Sequence, residues 1–133
     1  MGTIFTRIVQ SEIPCYKVAE DDRFFAFLDI NPVQQGHTLV IPKRETDYIF
    51  DLPPDEAGAL FVFAQKVAKA IKQVVSCKRI GVAVIGLEVP HAHIHLVPLT
   101  HEGDLDFSKH RCCMAPEVFA ELAKQIAHSF NTI

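Results

Sequence analysis

The sequence predicts an α+β domain in which an antiparallel sheet of about five strands carries one long helix, a short N-terminal helix and a C-terminal helix. Three observations lead to this fold class. Apolar residues recur at helical spacing over one long stretch that begins near Pro53 and over a shorter stretch near each terminus. Short runs of strand-forming residues lie between these stretches. The length, 133 residues, suits a single domain with one core.

The composition narrows the classes of function. A formal net charge of -3 gives no electrostatic basis for binding nucleic acid or an anionic membrane. No apolar run reaches the length of a membrane span, and the N-terminus lacks the basic-then-apolar pattern of a signal peptide. The four cysteines include no Cys-x-x-Cys pair, which favours reduced thiols. We therefore expect a soluble, cytoplasmic protein with neither nucleic-acid nor membrane partners.

The first third of the chain predicts a helix and two strands. Apolar residues at helical spacing indicate a short helix over Ile4–Val9. A short strand is predicted over residues 16–19, and a largely buried one over residues 23–30. The second strand ends at Asp29, a carboxylate among apolar neighbours. Asp29 is either a cap for the Asn31-Pro32 turn or a ligand-binding group, and turn chemistry alone leaves both open.

The next predicted elements are a strand that pairs with the preceding one in a hairpin, and the longest helix. Residues 37–42 are predicted as a strand antiparallel to the preceding one, with His37 at its loop end. The helix begins at the Pro53-Pro54 pair and keeps its period through Val75. Val62 and Phe63 are apolar but lie outside its periodic stripe. They are either scattered surface residues or part of a subunit interface, and we favour the interface.

The remaining elements are a strand over residues 80–85 and a last helix that begins at Pro116. Three histidines outside the main cluster are expected at the surface, namely His101, His110 and His128. The run His110-Arg111-Cys112-Cys113 lacks the ligand spacing of a zinc site.

Three histidines, His91, His93 and His95, alternate with apolar residues. In a β-strand their imidazoles project from one face, and Ala92, Ile94 and Leu96 then face the core. A helix would spread the same histidines around its circumference. Burying a row of imidazoles without hydrogen bonds, charge or metal is costly, so the row indicates a function.

Two kinds of chemistry use several imidazoles on one face. The first is metal binding, for which Glu88 and His37 are additional candidate ligands. The second is nucleophilic catalysis, in which a neutral imidazole attacks phosphorus and its neighbours bind the phosphoryl oxygens. His93 is the natural nucleophile because it has a partner on each side. Spacing alone leaves both chemistries open.

The segment His91-Ala92-His93-Ile94-His95-Leu96-Val97 resembles the defining motif of the histidine triad (HIT) family. Further segments, in order, are similar to its Hint-like branch: the opening around Ile4-Phe5, the strand Phe27-Leu28-Asp29-Ile30 and the strand that begins at Gly36-His37. The resemblance implies one HIT domain over residues 1–133, with a core over 1–110 and a C-terminal helical extension over 111–133.

The resemblance also implies roles for individual residues. His93 would become nucleotidylated, His91 and His95 would contact the phosphate, and His37 would lie beside it. Asp29 would accept hydrogen bonds from the ribose hydroxyls. The base pocket would be lined by Phe5, Ile8, Ile13, Phe27 and Ile30. Members of this branch are typically homodimers, in agreement with an interface on the Val62 and Phe63 side of the long helix.

Several positions depart from the family pattern. Thr3, Thr6 and Glu45 occupy positions where many bacterial relatives hold zinc ligands, so we expect no structural zinc and no other cofactor or metal. Leu87 replaces a glutamine, and Glu88 stands where a hydroxyl residue often assists the leaving group. A carboxylate beside a phosphate is unfavourable unless it turns away or meets a cationic group.

The function that the resemblance implies is hydrolysis of nucleoside phosphoramidates or related nucleotidyl conjugates at the α-phosphate, with release of a purine nucleoside monophosphate such as AMP. A dinucleoside-polyphosphate hydrolase is the nearest alternative. A nucleotide-binding protein with vestigial catalysis is a second, and a metal-dependent enzyme that uses His91, His93 and His95 as ligands is a third.

Overall fold

The computed structural model describes residues 2–108 and 111–133. Within them, five strands form one sheet in the order β1-β2-β3-β5-β4, and every neighbouring pair is antiparallel. The strands are β1 (Lys17–Glu20), β2 (Phe24–Leu28), β3 (Thr38–Pro42), β4 (Arg79–Ala83) and β5 (Ile94–Leu99). The α+β prediction is confirmed.

Three α-helices accompany the sheet: α1 (Ile4–Val9), α2 (Pro54–Val74) and α3 (Pro116–Thr132). Proline occupies the first turn of both α2 and α3, where its missing N–H has no helical partner to lose. Short 3-10 turns cover Ile49–Asp51 and Glu102–Leu105. None of the helices within the described ranges combines the length and apolar character that crossing a bilayer requires.

The two faces of the sheet bury different clusters. On one face, alternate strand residues such as Ala26, Val40 and Ile94 pack with α2 and α3 to form the main core. On the other, Phe27 and Leu39 pack with α1 in a smaller apolar cluster. This division follows from strand geometry, because successive side chains point to opposite faces. The second face also carries His95, which pairs with Leu39 across β3 and β5.

The structure corrects the predicted histidine strand. β5 begins at Ile94, so His91 and His93 lie in the segment that leads into it, and only His95 belongs to the ladder. The prediction that Ile94 and Leu96 face the core is confirmed. The His91 backbone N–H bonds to the Val89 carbonyl instead of to a neighbouring strand.

The predicted placement of Phe63 at a subunit interface is wrong. Its side chain is 7% exposed and packs against Phe24 and Phe130. The periodicity of α2 did not predict the burial of Phe63, because α3, which comes from the far end of the chain, covers that side of the helix. Val62 is 66% exposed. His101 and His128 are exposed as predicted, whereas His110 lies outside the described residues.

Candidate active site

A cavity of about 410 Å³ opens on the α1 face of the sheet. Its walls come from six parts of the chain: the start of α1, the turn after β2, β3, the loop between β4 and β5, the start of β5 with the residue before it, and the segment after β5. Among the predicted site residues, Phe5, Asp29, Glu88, His93 and His95 line it. Residues distant in sequence therefore converge on one concave site.

His93 is oriented by the main chain. Its Nδ1 lies 2.7 Å from the carbonyl oxygen of His91, and a carbonyl only accepts. Nδ1 therefore carries the proton, and in the neutral ring Nε2 keeps its lone pair. The ring lies edge-on to Phe5, at a centroid distance of 5.0 Å, and 4.8 Å from the ring of His95. This tautomer is the one that a nucleophilic imidazole needs.

His95 and His37 form a second oriented pair. The Val33 N–H donates to His37 Nδ1 at 3.1 Å, which leaves the proton of the neutral ring on Nε2. His37 Nε2 then donates to His95 Nδ1 at 3.0 Å. His95 must consequently carry its own proton on Nε2. The result is a neutral N–H donor in the wall of the cavity.

Burial keeps both rings uncharged. Desolvation lowers the pKa of His37 to about 4, with a smaller contribution from the positive charge of Arg111. Desolvation likewise lowers the pKa of His95 to about 3, and the positive charge of Arg111 contributes in the same direction. At neutral pH these two histidines therefore act as hydrogen-bonding groups and not as cations.

A glycine turn places His37 at the head of β3. Gly36 has a φ of 96°, a left-handed conformation that favours glycine. A Cβ atom there would lie 3.0 Å from Val75 Cγ2. The turn directs His37 onto the same face as Leu39, from which it reaches His95.

His91 lies behind the cavity and not in its wall. Its side chain is completely buried, with Nε2 2.8 Å from the Pro42 carbonyl and Nδ1 2.7 Å from Thr3 Oγ1. Because the carbonyl accepts, Nε2 donates and Nδ1 accepts from the hydroxyl. Burial lowers the pKa of His91. Both nitrogens are thus used within the protein, and the residue anchors the segment whose carbonyl orients His93.

Asp29 directly follows β2; it acts as a cap for the turn and also lines the cavity, and its binding of a ligand stays a prediction. Its Oδ1 accepts from the Asn31 N–H at 2.8 Å, as a turn cap does. Its Oδ2 lies 3.6 Å from His37 Nε2, and the residue lines the cavity.

The predicted base-pocket residues divide into three groups. Phe5 lines the cavity, and Phe27 lies beneath it with ring centroids 5.5 Å apart. Ile8 and Ile13 pack in the same apolar cluster without forming the cavity wall. Ile30 is 71% exposed and lies outside that wall. The structure therefore brings Phe5, Phe27, Ile8 and Ile13 together and leaves Ile30 apart.

The β4–β5 loop forms another wall through residues 85–89. Gly86 adopts a φ of 70° within it, and Leu87 is 89% exposed. The Glu88 side chain is exposed at the cavity rim.

Comparison with known proteins assigns the family. The HIT domain model matches residues 10–102, more than half of the chain. The chain belongs to the HIT family.

Individual HIT proteins are similar over most of their length. An uncharacterized HIT-like protein of Borreliella burgdorferi is 34% identical over 132 residues, which cover 93% of this chain and 95% of that protein. The adenosine 5'-monophosphoramidase of Schizosaccharomyces pombe is 35% identical over 103 residues, or 77% of each chain. The crystal structure of a Hit-like protein from Bartonella henselae has a TM-score of 0.82 at 31% identity, covering 96% of this chain and 95% of that one.

A hydrogen-bond network joins Thr3, Thr6 and Glu45 to His91. Glu45 Oε1 accepts from the Thr3 N–H and from Thr6 Oγ1, each at 2.7 Å. Thr3 Oγ1 accepts from the Thr6 N–H at 3.1 Å and donates to His91. The network holds α1 against His91 through neutral hydroxyls and one carboxylate.

One group of three described residues has metal-ligating atoms close together, namely Asp29, His37 and His95, within 4.8 Å of one another. Two of its nitrogens already share the His37–His95 hydrogen bond, which metal binding would break. The alternative with His91, His93 and His95 as ligands does not match this grouping, because both His91 nitrogens bond to Thr3 and Pro42.

Phe107 and Arg111 are among the cavity-lining residues that sequence reasoning did not identify. They follow β5 in a polar stretch without periodicity, so local sequence carried no signal for them. The structure docks this segment on the turn after β2, where the Cys112 N–H donates to the Pro32 carbonyl at 2.8 Å.

Proposed function

We propose that this HIT protein hydrolyses nucleoside phosphoramidates or related nucleotidyl conjugates at the α-phosphate, through a covalent nucleotidyl-His93 intermediate, and releases a nucleoside monophosphate such as AMP. The observation that carries the proposal is the hydrogen bond between His93 Nδ1 and the His91 carbonyl. Because Nδ1 donates this bond, the Nε2 lone pair belongs to a ring that lines the cavity. The similarity to an adenosine 5'-monophosphoramidase supports the substrate class.

The reaction has two steps. First, the Nε2 lone pair attacks the α-phosphorus, and the bond from phosphorus to the leaving group breaks. The leaving group takes that electron pair and a proton from water. Second, water attacks the same phosphorus, the P–N bond to His93 breaks, and its electron pair returns to Nε2. The nucleoside monophosphate departs and the water proton passes to solvent.

The neighbouring residues have distinct tasks in this scheme. His95 Nε2–H donates to a phosphoryl oxygen, and His37 fixes the tautomer that makes this possible. Asp29 accepts hydrogen bonds from the ribose hydroxyls, and Phe5 packs against the base. His91 acts through its carbonyl and not by touching the phosphate, which revises the direct contact that the resemblance implies. None of these steps requires a metal ion.

The covalent step is tested by quenching the protein during turnover of adenosine 5'-phosphoramidate and, separately, of diadenosine tetraphosphate. We expect mass spectrometry to find one added adenylyl group on the peptide that carries residues 91–95. His93→Ala should remove the adduct and lower turnover by at least about a thousandfold, because the nucleophile is lost. His128→Ala, which changes an exposed histidine on α3, should behave as wild type.

The outcomes separate the alternatives. Faster turnover of diadenosine tetraphosphate would indicate the polyphosphate-hydrolase branch. Absence of an adduct and of AMP from both substrates, with AMP still bound, would show a nucleotide-binding protein and contradict the proposed hydrolysis.

A further inference from the structure

The charge of the cavity is unbalanced for an anionic substrate. Its wall contains the carboxylates of Asp29 and Glu88, and burial keeps His37 and His95 neutral. Among the described residues that line it, Arg111 is the one lysine or arginine. Phosphoryl transfer spreads negative charge over the phosphoryl oxygens, and fixed positive charge stabilises it. The position of Arg111 therefore bears directly on the reaction.

Arg111 is fixed at the edge of the cavity by two main-chain carbonyls. One Nη atom donates to the Asn31 carbonyl at 2.8 Å, and the other to the Phe107 carbonyl at 3.2 Å. The guanidinium carbon lies 5.5 Å from the centre of the Phe107 ring. A guanidinium has five N–H groups, and these two bonds use two of them. The arrangement orients the charge while leaving donor capacity for a ligand.

The contacts of Phe107 place this charge on the His95 side of the cavity. The Phe107 ring lies edge-on to His95 at 4.7 Å and to His37 at 5.5 Å. The Asn31 carbonyl follows Asp29 by two residues. The positive charge also contributes to the lowered pKa of both histidines, in agreement with this proximity. Arg111 is thus close to His95, the proposed hydrogen-bond donor to the phosphoryl group, and to Asp29, the proposed acceptor for the ribose hydroxyls.

We propose that Arg111 binds a negatively charged non-bridging oxygen of the α-phosphoryl group, beside His95, and that it selects nucleotides over nucleosides. The assignment deepens the proposed function and rests on the same site. The leaving group departs opposite to the attacking His93 nitrogen, whereas Arg111 lies with His95 and the Asp29–Asn31 turn. The α-phosphoryl group is accordingly its ligand. The alternative is that Arg111 binds the negative charge of an anionic leaving group, and the experiments below must exclude it.

Equilibrium binding tests the assignment without turnover. Isothermal titration calorimetry would compare AMP and adenosine on wild type, Arg111→Gln and Arg111→Lys. Arg111→Gln should weaken AMP binding roughly ten- to a hundredfold, the worth of one charged hydrogen bond, and change adenosine binding less than about twofold. Arg111→Lys should recover part of the loss because the charge returns. Arg79→Gln, at an exposed position that starts β4, controls for net charge.

Two results would overturn the proposal. One is unchanged AMP binding in Arg111→Gln. The other is an equal loss for AMP and adenosine, which would mean that Arg111 only supports Phe107 and the turn. Since AMP binding does not depend on catalysis, AMP selectivity without turnover would contradict the hydrolase and leave the role of Arg111 intact.

Turnover separates the two sources of negative charge. Adenosine 5'-phosphoramidate releases neutral ammonia, and adenosine 5'-phosphosulfate releases anionic sulfate. Arg111→Gln should lower kcat/KM by the same factor on both, because the α-phosphoryl group is common to them. A loss confined to the phosphosulfate would assign the cation to the leaving group and overturn the proposal.

Discussion

The fold determines which ring nitrogens of His37 and His95 carry protons, because the Val33 N–H donates to His37 Nδ1 and His37 Nε2 donates to His95 Nδ1. Folding takes both rings out of water and joins them by one hydrogen bond. Their pKa values fall to about 4 and about 3, below the ordinary value of 6.5. The native state therefore resists protonation of the pair, and its stability depends on pH.

The sign of that dependence follows from proton binding. Between pH 6.5 and about 4 the unfolded chain protonates both histidines while the folded chain leaves them neutral. The free energy of unfolding should therefore decrease as the pH falls through this range, by up to about 1.4 kcal/mol per pH unit for each histidine. Urea denaturation between pH 7 and 4 measures the slope.

Single substitutions identify the residues responsible for the slope. His37→Gln should reduce the slope of the free energy of unfolding with pH by the contribution of one histidine. His128→Gln should leave the slope as in wild type, because His128 is exposed. An identical slope in His37→Gln and wild type would show that other groups cause the acid sensitivity.

At this scale the sequence predicted which neighbours of the three histidines face the core, but not where each imidazole lies. Alternation correctly separated His95 from Ile94 and Leu96. It did not show that His91 turns its ring to Thr3 and Pro42, because those partners lie 88 and 49 residues away. Arg111 was missed for the same reason: its position follows from long-range contacts with the turn after β2.

At the scale of elements, α1 is joined to the site by hydroxyl groups. Thr3 caps the helix by accepting from the Thr6 N–H, and it also donates to the buried His91. One side chain thus connects helix formation with the segment that orients His93. The sequence predicted the bounds of α1 correctly, because its apolar period is local, but not this connection.

Thr3→Val should lower the free energy of unfolding by about 1–3 kcal/mol, because it leaves His91 Nδ1 as a buried acceptor without its donor and removes the helix cap. Thermal and urea denaturation measure the change. Thr100→Val is a matched control, since Thr100 is exposed and bonds to Asp104 through its backbone N–H. Equal stability of Thr3→Val and wild type would mean that the hydroxyl contributes nothing.

The packing of α3 against α2 also explains why the sequence-based placement of Phe63 was wrong. The apolar stripe of α2 is visible in the sequence, but the helix that covers its flank begins 53 residues after Phe63. Periodicity within one helix does not identify its neighbours. Only the tertiary arrangement shows that Phe130 of α3 packs there.

At the scale of the whole molecule, the homodimer stays a prediction. Because Phe63 is buried, the exposed apolar surface available for an interface on α2 is smaller than the sequence indicated. Phe61 and Val62 on α2 are 56% and 66% exposed. β4 is the edge strand of the sheet next to β5, and Val82 in it is 45% exposed. An open edge and exposed apolar side chains are features that a second copy of the chain would cover.

Replacing both Phe61 and Val62 with serine should raise the dimer dissociation constant at least about tenfold, because apolar area buried between subunits is lost. Sedimentation equilibrium over a range of concentrations measures it. Val118→Ser, at an exposed position on α3, is the control. A dissociation constant equal to that of wild type would exclude this side of α2 from the interface.

The alternation of the sheet has a consequence for engineering. Leu39 lies in the cavity wall opposite His95, whereas its neighbour Val40 belongs to the core beneath α2. A library that varies Leu39 and Val89 would reshape the cavity and the smaller apolar cluster beside α1, while the main core under α2 and α3 keeps its side chains. The same pleat that builds the site therefore keeps variation of the cavity wall separate from the main core, which lies on the other face of the sheet.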